Sequence, residues 1–199
     1  MPDETKPDGG ASSPPPPKPP APKAPPAPAV MQTTPWEDDL TRELAEAFPS
    51  EITSYLTYLG QNFLEVQLAS AIQVMEYLKY ECGFDYLVDV TAVHYPKRET
   101  SQFDLVYILY SFERNRRIRI KTFLKDGEKA ASAVGVHITA DWLEREVYDM
   151  FGIEFTGHPD LKRILMPDGW SGHPLRKDYG ILQMDNRWVQ ENLGIESGQ

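Results

Sequence analysis

The sequence predicts an α+β domain, with a largely antiparallel sheet and helices on one side, followed by an extended C-terminal arm. Stretches of helical and strand periodicity follow one another in the order α-β-β-α-β-β-β-α, and short turns between neighbouring strands favour antiparallel pairing. Beyond this order the chain keeps many large apolar residues but no sustained period. We therefore divide the 199 residues into a proline-rich tail (1–35), an α+β domain (36–151) and an interaction arm (152–199).

The tail has the composition of a disordered segment. Residues 1–35 hold 13 of the 18 prolines and almost no large apolar side chain, so they cannot bury enough surface to offset the entropy of ordering. A PxxP ligand for a recognition module is the alternative interpretation. We expect neither a secretory signal nor a mitochondrial presequence, because the tail has no apolar core and the first arginine is Arg42.

Charge and cysteine content exclude several classes of function. Thirty acidic and twenty basic residues give a formal net charge of −10, which disfavours a nucleic-acid binder. A single cysteine, Cys82, excludes an intramolecular disulfide, a Cys-only zinc site and a Cys-ligated iron–sulfur cluster within this chain. No apolar run approaches the roughly 18–20 residues that span a bilayer, so we expect any membrane association to be indirect.

The first half of the domain is predicted as helix, hairpin and helix. Residues 37–47 repeat apolar side chains at helical spacing, and Pro49 ends that helix. Residues 52–59 and 62–68 are typical of a hairpin with its turn at 59–62. A second helix carries one apolar stripe and is expected to end at Gly83 as its C-cap; the stripe comprises Ala71, Val74, Met75, Leu78 and Cys82. The position of Cys82 on that stripe favours a packed thiol over a nucleophile.

Three further strands are predicted at 84–95, 103–112 and 116–125. The last one alternates cleanly, with Arg117, Arg119 and Lys121 on one face and Ile118, Ile120 and Thr122 on the other. The basic face could bind phosphate or nucleic acid. A solvated or partner-facing side of the sheet is the simpler interpretation, given the acidic net charge.

Residues 141–151 form a strongly amphipathic helix, for which Asp141 and Glu144 suggest a capping box and Gly152 a C-cap. The buried stripe is expected to hold Leu143, Val147, Met150 and Phe151, and the opposite face Glu144, Arg145, Glu146 and Asp149. Because Asp149 lies in the last turn, where the helix dipole disfavours an anion, it should have a cationic partner. The candidates are Lys162, Arg163, Arg176 and Lys177.

The region 152–180 holds five glycines and three prolines, yet it is rich in large apolar residues. Such long irregular stretches are uncommon inside a compact domain, and disordered segments lack this apolar density. We therefore predict an arm that packs on its own domain and on another protein, with Trp170, Trp188 and the arginines as anchors.

Two enzyme interpretations remain open at this point. The repeated motifs 157–159 and 172–174 each read Gly-His-Pro, which invites a metal site, but a histidine that bonds backbone on a loop is the commoner case. Glu144, Glu146 and Asp149 could act as acid/base carboxylates of a hydrolase. A salt-bridge network is favoured, because no nucleophile signature or phosphate loop accompanies them.

Three segments together carry a family resemblance: 144–153 (EREVYDMFGI), 157–165 (GHPDLKRIL) and 172–179 (GHPLRKDY). They resemble the signature of the C subunit of respiratory NADH:quinone oxidoreductase, the hydrophilic connecting subunit of complex I, which is related to the plastid and cyanobacterial J subunit. The residues expected to form its structural and interface signature are Glu144, Arg145, Glu146, Asp149, Gly152, Gly157, His158, Pro159, Arg163, Trp170, His173, Pro174, Leu175, Arg176, Lys177, Asp178 and Tyr179.

The resemblance implies a scaffold without catalytic residues, flavin, iron–sulfur cluster or metal of its own. NADH, FMN, iron–sulfur clusters and quinone would belong to the assembled, proton-pumping complex. The implied partners are the large quinone-site D subunit, along which the arm would lie, and the cluster-bearing B and I subunits. The implied location is the cytoplasmic face of a bacterial inner membrane, reached only through the complex. Alternatives are the equivalent subunit of a membrane-bound hydrogenase-type complex, a regulatory binding module and the stand-alone hydrolase.

Overall fold

The computed structural model describes residues 32–180 and 185–194. The helices are α1 (Asp39–Ala47), α2 (Ala71–Tyr80), α3 (Ala140–Phe151) and α4 (Asn186–Leu193). The strands are β1 (Thr34–Pro35), β2 (Ile52–Tyr58), β3 (Gln61–Val66), β4 (Tyr86–His94), β5 (Phe103–Ser111), β6 (Arg116–Leu124), β7 (Ala130–Ala131) and β8 (Phe155–Thr156). The predicted tail lies outside the described residues up to Met31, and its last two residues form β1.

Six strands form one sheet in the order β1-β2-β3-β6-β5-β4, and a separate parallel pair joins β7 to β8. All neighbours in the large sheet are antiparallel except β3 and β6. The predicted α+β class with a largely antiparallel sheet is therefore confirmed. The parallel pair in the middle was not predicted, because it joins strands that are separated by α2, β4 and β5.

One face of the sheet and helices α1, α2 and α3 share a continuous hydrophobic core. The alternation in β6 is confirmed, since Ile118, Ile120 and Thr122 are buried while Arg117 is exposed on the other face. Helix α1 begins with a reciprocal cap: Asp38 accepts a hydrogen bond from the Thr41 amide, and the Thr41 hydroxyl accepts one from the Asp38 amide.

Two local predictions about helix ends were wrong, and one helix was missed. Helix α3 begins one residue early, with Thr139 rather than Asp141 at the N-cap and no side-chain capping bond. Helix α2 ends at Tyr80, so Gly83 is not its C-cap. Helix α4 was not predicted, although Asp185 caps it by accepting a hydrogen bond from the Trp188 amide.

Cys82 lies just beyond α2 and is buried, as the predicted packed thiol requires. Burial, followed by the neighbouring Glu43 carboxylate, raises the pKa of this thiol to about 12. A thiol with so high a pKa is a poor nucleophile at neutral pH.

The two ends of the sheet have different roles. The β2–β3 and β5–β6 turns lie at one end, because β3 and β6 both start there and run parallel. His94 at the end of β4 and Phe103 at the start of β5 lie at the other end, about eight residues or roughly 26 Å along the strand. The arm contacts this second end.

Candidate functional site

Asp149, in the last turn of α3, is the centre of the arm's attachment to the domain. Its side chain is completely buried, and it accepts hydrogen bonds from Arg163 Nε at 2.5 Å and from the amides of Ile164, Leu165 and Met166 at 2.7–2.9 Å. Burial alone would raise the pKa of Asp149, but the bonds from the Met166 amide, Arg163 and the other two amides outweigh it and lower the pKa. The carboxylate thus stays ionised and fixes residues 163–166.

Arg163 is the predicted cationic partner of Asp149 among the four candidates. Its guanidinium also donates to the carbonyl of Gly172 at 2.6 Å and to the carbonyl of Trp170. One side chain therefore joins the C-terminal end of α3 to two points on the arm. Such a fork of donors is a geometry that arginine supplies and lysine does not.

The second Gly-His-Pro motif closes over the end of α3. His173 donates from Nδ1 to the carbonyl of Asp149 at 2.9 Å, and its ring lies against Gly152. A Cβ atom at Gly152 would lie 2.7 Å from this ring, and the backbone there has a left-handed φ of +80°. The predicted C-cap at Gly152 is therefore confirmed, and the close approach of His173 is a second reason for a glycine at this position.

The first Gly-His-Pro motif contacts the opposite end of the same helix. The buried His158 side chain donates from Nε2 to the Asp141 carbonyl at 3.1 Å and accepts at Nδ1 from the Asp160 amide at 3.1 Å. Both histidine rings are thus engaged with backbone. Among the residues that the structure describes, no three His, Cys, Asp or Glu side chains are grouped as a metal site.

Residues 175–179 pack against the end of the sheet that holds His94 and Phe103. Arg176 binds both carboxylate oxygens of Asp126, at 3.0 and 2.6 Å, and its guanidinium lies 5.2 Å from the Phe103 ring centre. The Lys177 amide donates to Nδ1 of His94 at 3.0 Å, and Asp178 lies 3.7 Å from the same nitrogen. Burial lowers the pKa of His94, which favours the neutral ring that this bond requires.

The remaining contacts of this segment are with backbone and glycine. The Leu175 amide donates to the carbonyl of Met150, which extends the attachment from the end of α3. Tyr179 packs so closely on Gly172 that a Cβ there would lie 2.6 Å from its ring. Pro159 and Pro174 follow the two histidines, and Gly157 and Gly172 precede them with the same left-handed φ of +84°.

Glu144 and Arg145 were placed on the face of α3 opposite the buried stripe, yet both are buried. Glu144 is fully buried and accepts hydrogen bonds at 2.6 Å from the Ser132 hydroxyl and the Ala133 amide. Burial raises its pKa, while these bonds act in the opposite direction. Arg145 is buried between the Trp142 ring and the carbonyl of Lys162. The arm and the β7 region cover this face, and of its four charged residues only Glu146 stays exposed.

The tryptophans of the arm contact each other. The ring centres of Trp170 and Trp188 are 5.5 Å apart, and Trp188 Nε1 donates to the Asp168 carbonyl at 2.7 Å. Asp185 additionally accepts from the Ser171 amide and hydroxyl at 2.8 and 2.7 Å. Helix α4 is thereby joined to residues 168–171 of the arm.

The structure brings together two groups of the predicted site residues. Asp149, Gly152, Arg163 and His173 form one cluster, and residues 175–178 form a second one beside it. His94 and Asp126 complete the second cluster and were not singled out from the sequence. His94 could have been found from the alternation in β4, which places it on the buried face after Val90 and Ala92. Asp126 lies in a turn and carries no comparable signal.

These contacts hold the arm firmly against its own domain. The carboxylates of Asp149 and Glu144 are enclosed by the chain's own donors, and the histidines bond carbonyls and amides of the same chain. The arrangement therefore holds an irregular backbone along a defined path. No described helix is long and apolar enough to cross a membrane.

One protein family matches the part of the chain that holds this site. The family model described as respiratory-chain NADH dehydrogenase, 30 Kd subunit, matches residues 64–184, more than half of the chain. The chain belongs to this family. The resemblance inferred from the three signature segments is thereby confirmed, and the matched range contains all of them.

Curated relatives agree with this assignment. The protein of Ruegeria sp. (strain TM1040) that is named as the C subunit of NADH-quinone oxidoreductase is 44% identical over 143 residues, which cover 71% of each chain. The protein of the same name from Geotalea uraniireducens (strain Rf4) is 44% identical over 144 residues, or 72% of this chain and 87% of that one.

Solved structures support the fold. A trypsin-resistant fragment of Nqo5 has a TM-score of 0.53 at 28% identity and covers 62% of this chain and 98% of its own. A chain of the membrane-bound sulfane sulfur reductase, described as an archaeal respiratory membrane complex, has a TM-score of 0.63 at 22% identity. It covers 81% of this chain and 93% of its own, and at that identity it shows the fold alone.

Proposed function

We propose that this chain is a structural, non-catalytic subunit of a proton-pumping NADH:quinone oxidoreductase. Its arm lies along the quinone-site D subunit and fixes that subunit against the cluster-bearing B and I subunits. Electron transfer uses NADH, FMN, iron–sulfur clusters and quinone held by the other subunits. The chain sits on the cytoplasmic face of a bacterial inner membrane and is attached there only through its partners.

The observation that carries this proposal is the attachment of the arm at Asp149. A buried carboxylate with four donors holds a segment that has no helix between Gly152 and Gly180, so the backbone keeps an irregular path without a core of its own. Leu165 and Leu175 lie on this segment with more than half of each side chain exposed. An anchored arm with outward apolar side chains is suited to contact with a second protein.

The fixed attachment also suggests how such a subunit would act. Binding of a flexible segment loses affinity to the entropy of ordering it. Because Asp149, Arg163 and Arg176 order the arm before any partner binds, the entropic cost of binding the partner is smaller. A rigid arm would then hold its partner at a constant distance from the neighbouring clusters.

The membership of the complex is tested by affinity purification of the tagged chain from its own membranes in mild detergent. We expect a large quinone-site subunit, cluster-bearing partners and NADH dehydrogenase activity to co-purify. The same partners with hydrogenase activity instead would assign the chain to a hydrogenase-type complex. A chain recovered alone would contradict the assembly role, and hydrolytic activity of that isolated chain would support the acid/base enzyme.

A further inference from the structure

The end of the sheet opposite the arm carries a groove between two hairpin turns. The β2–β3 turn and the β5–β6 turn lie side by side there, because β3 and β6 are parallel neighbours. A groove of about 390 Å³ separates them, and it is lined by Gly60, Gln61, Tyr110, Arg116, Arg117 and Arg119 together with two asparagines. None of the contacts described above that fasten the arm involves these residues.

The β2–β3 turn has an unusual residue at its tip. Tyr58 pairs with Gln61, and the two residues between them, Leu59 and Gly60, have φ values of +49° and +72°. This is the conformation of a type I′ turn, in which asparagine or glycine is strongly preferred at the first position. Leu59 is nevertheless present there, with 83% of its surface exposed. Neither turn stability nor solubility accounts for a leucine at this position.

The neighbouring turn also exposes a large apolar side chain. Phe112 is 67% exposed, and its ring lies 5.6 Å from that of Tyr86 and 4.9 Å from that of Tyr110. The three rings form a continuous aromatic surface beside the groove. Aromatic and arginine side chains together are the residue types that carry most of the energy of protein interfaces.

The groove between these apolar tips is positively charged. Arg116 is paired with Asp38, and Arg119 bonds the uncharged amide of Gln61. Arg117 is exposed, and its side chain has no hydrogen bond or ion pair to any residue that the structure describes. The groove is thus cationic although the chain as a whole has a net charge of −10. Its charge complements that of an anionic ligand.

We infer that this hairpin end is a second protein interface, which binds an acidic segment of another subunit. Carboxylates of that segment bind Arg117 and Arg119 in the groove, and its apolar side chains pack on Leu59 and Phe112. The apolar tips on both sides of the groove favour a protein segment over a nucleic acid, which would need a larger basic surface. The inference goes beyond the proposed role of the arm, because the two surfaces lie at opposite ends of the sheet.

Photo-cross-linking in the assembled complex tests this interface. With p-benzoylphenylalanine in place of Phe112, irradiation of the purified complex should join this chain to a peptide of one other subunit, within or next to a sequence containing Asp or Glu. Cross-links only to lipid, only to this chain, or to no molecule at all would overturn the inference.

Two substitutions, each combined with p-benzoylphenylalanine in place of Phe112, test the contributions of Arg117 and Leu59 to this interface. Arg117→Glu should lower the cross-link yield about tenfold, because it places a like charge opposite the acidic segment. Leu59→Asn should lower the yield while raising the melting temperature of the chain, since asparagine suits the turn better. The matched control is Lys97→Glu, which makes the same change of charge on an exposed lysine at the other end of the sheet. An unchanged yield with Arg117→Glu, or an equal loss with the control, would overturn the inference.

Discussion

Replacement of Asp149 by asparagine should release residues 163–166 without unfolding the domain. In the native chain one oxygen of Asp149 accepts three amide hydrogen bonds and the other accepts from Arg163. An asparagine side chain offers a single oxygen, so either the amides or the guanidinium must face its NH₂ group. At least one buried donor then loses its acceptor, and the charge of Arg163 loses its partner.

The lost contacts set the free energy by which Asp149→Asn weakens the attachment of residues 163–166. A hydrogen bond to a charged group contributes about 1.5–3 kcal/mol, and an unsatisfied buried donor costs about 1–3 kcal/mol. The Arg163 side chain is 19% exposed, so water recovers part of this loss. We expect about 3 kcal/mol in all, which is about a 100-fold increase in the population of the open segment.

Amide hydrogen exchange of the isolated, folded chain measures this opening directly. The amides of Ile164, Leu165 and Met166 should exchange about 100-fold faster in Asp149→Asn. The matched control is Asp160→Asn, which removes an exposed ion pair with Lys162 on the same arm and should change these rates little. Unchanged exchange at all three amides in Asp149→Asn would refute the role assigned to this carboxylate.

Two further predictions concern stability. Gly152→Ala should destabilise the chain by about 2 kcal/mol in urea unfolding, because it adds a clash with His173 to a left-handed backbone; Gly157→Ala, at a similar φ with open space around it, should cost only about 1 kcal/mol. Burial, followed by the charge of Lys79, lowers the pKa of His137 from 6.5 to about 4, so the unfolded chain binds this proton at a higher pH than the folded one. Stability should therefore fall as the pH is lowered from 6.5 towards 4, by about 2 kcal/mol at pH 5, and His137→Gln should flatten this dependence in urea midpoints. A larger loss of unfolding free energy in Gly157→Ala than in Gly152→Ala would contradict the clash with His173. An unchanged pH dependence of stability in His137→Gln would contradict the role assigned to His137.

The elements of the domain were predictable because their signals are local. The alternation of Arg117 to Thr122 defines β6, and the stripe that includes Val147 and Phe151 defines α3. The pairing of β3 with β6 was not predictable in the same way, since it depends on which distant strands share an apolar face. Periodicity specifies an element and its buried side, but it does not specify the neighbour of that element.

The contacts of the candidate site were less predictable than the elements of the domain. Dipole reasoning predicted that Asp149 needs a cation and included Arg163 among the candidates, but it could not choose between four. The burial of Glu144 was missed because amphipathicity assigns charged residues to the solvent side, whereas a later part of the chain covers that face. The alternation in β4 marks His94 only as a buried position, and the contacts that bring His94 and Asp126 into the site join residues at least 50 positions apart. Such contacts leave no pattern within a local window of sequence.

The most direct test of the scaffold role compares the amount of assembled complex with its turnover. Asp149→Asn and Arg176→Ala, introduced into the native complex, should lower the amount assembled while the NADH:quinone reductase activity per assembled complex stays unchanged. Arg42→Ala, which removes an exposed ion pair on α1, is the control and should alter neither quantity. A normal amount of complex with lost quinone reductase activity would contradict the scaffold role and indicate that these residues act in electron transfer itself.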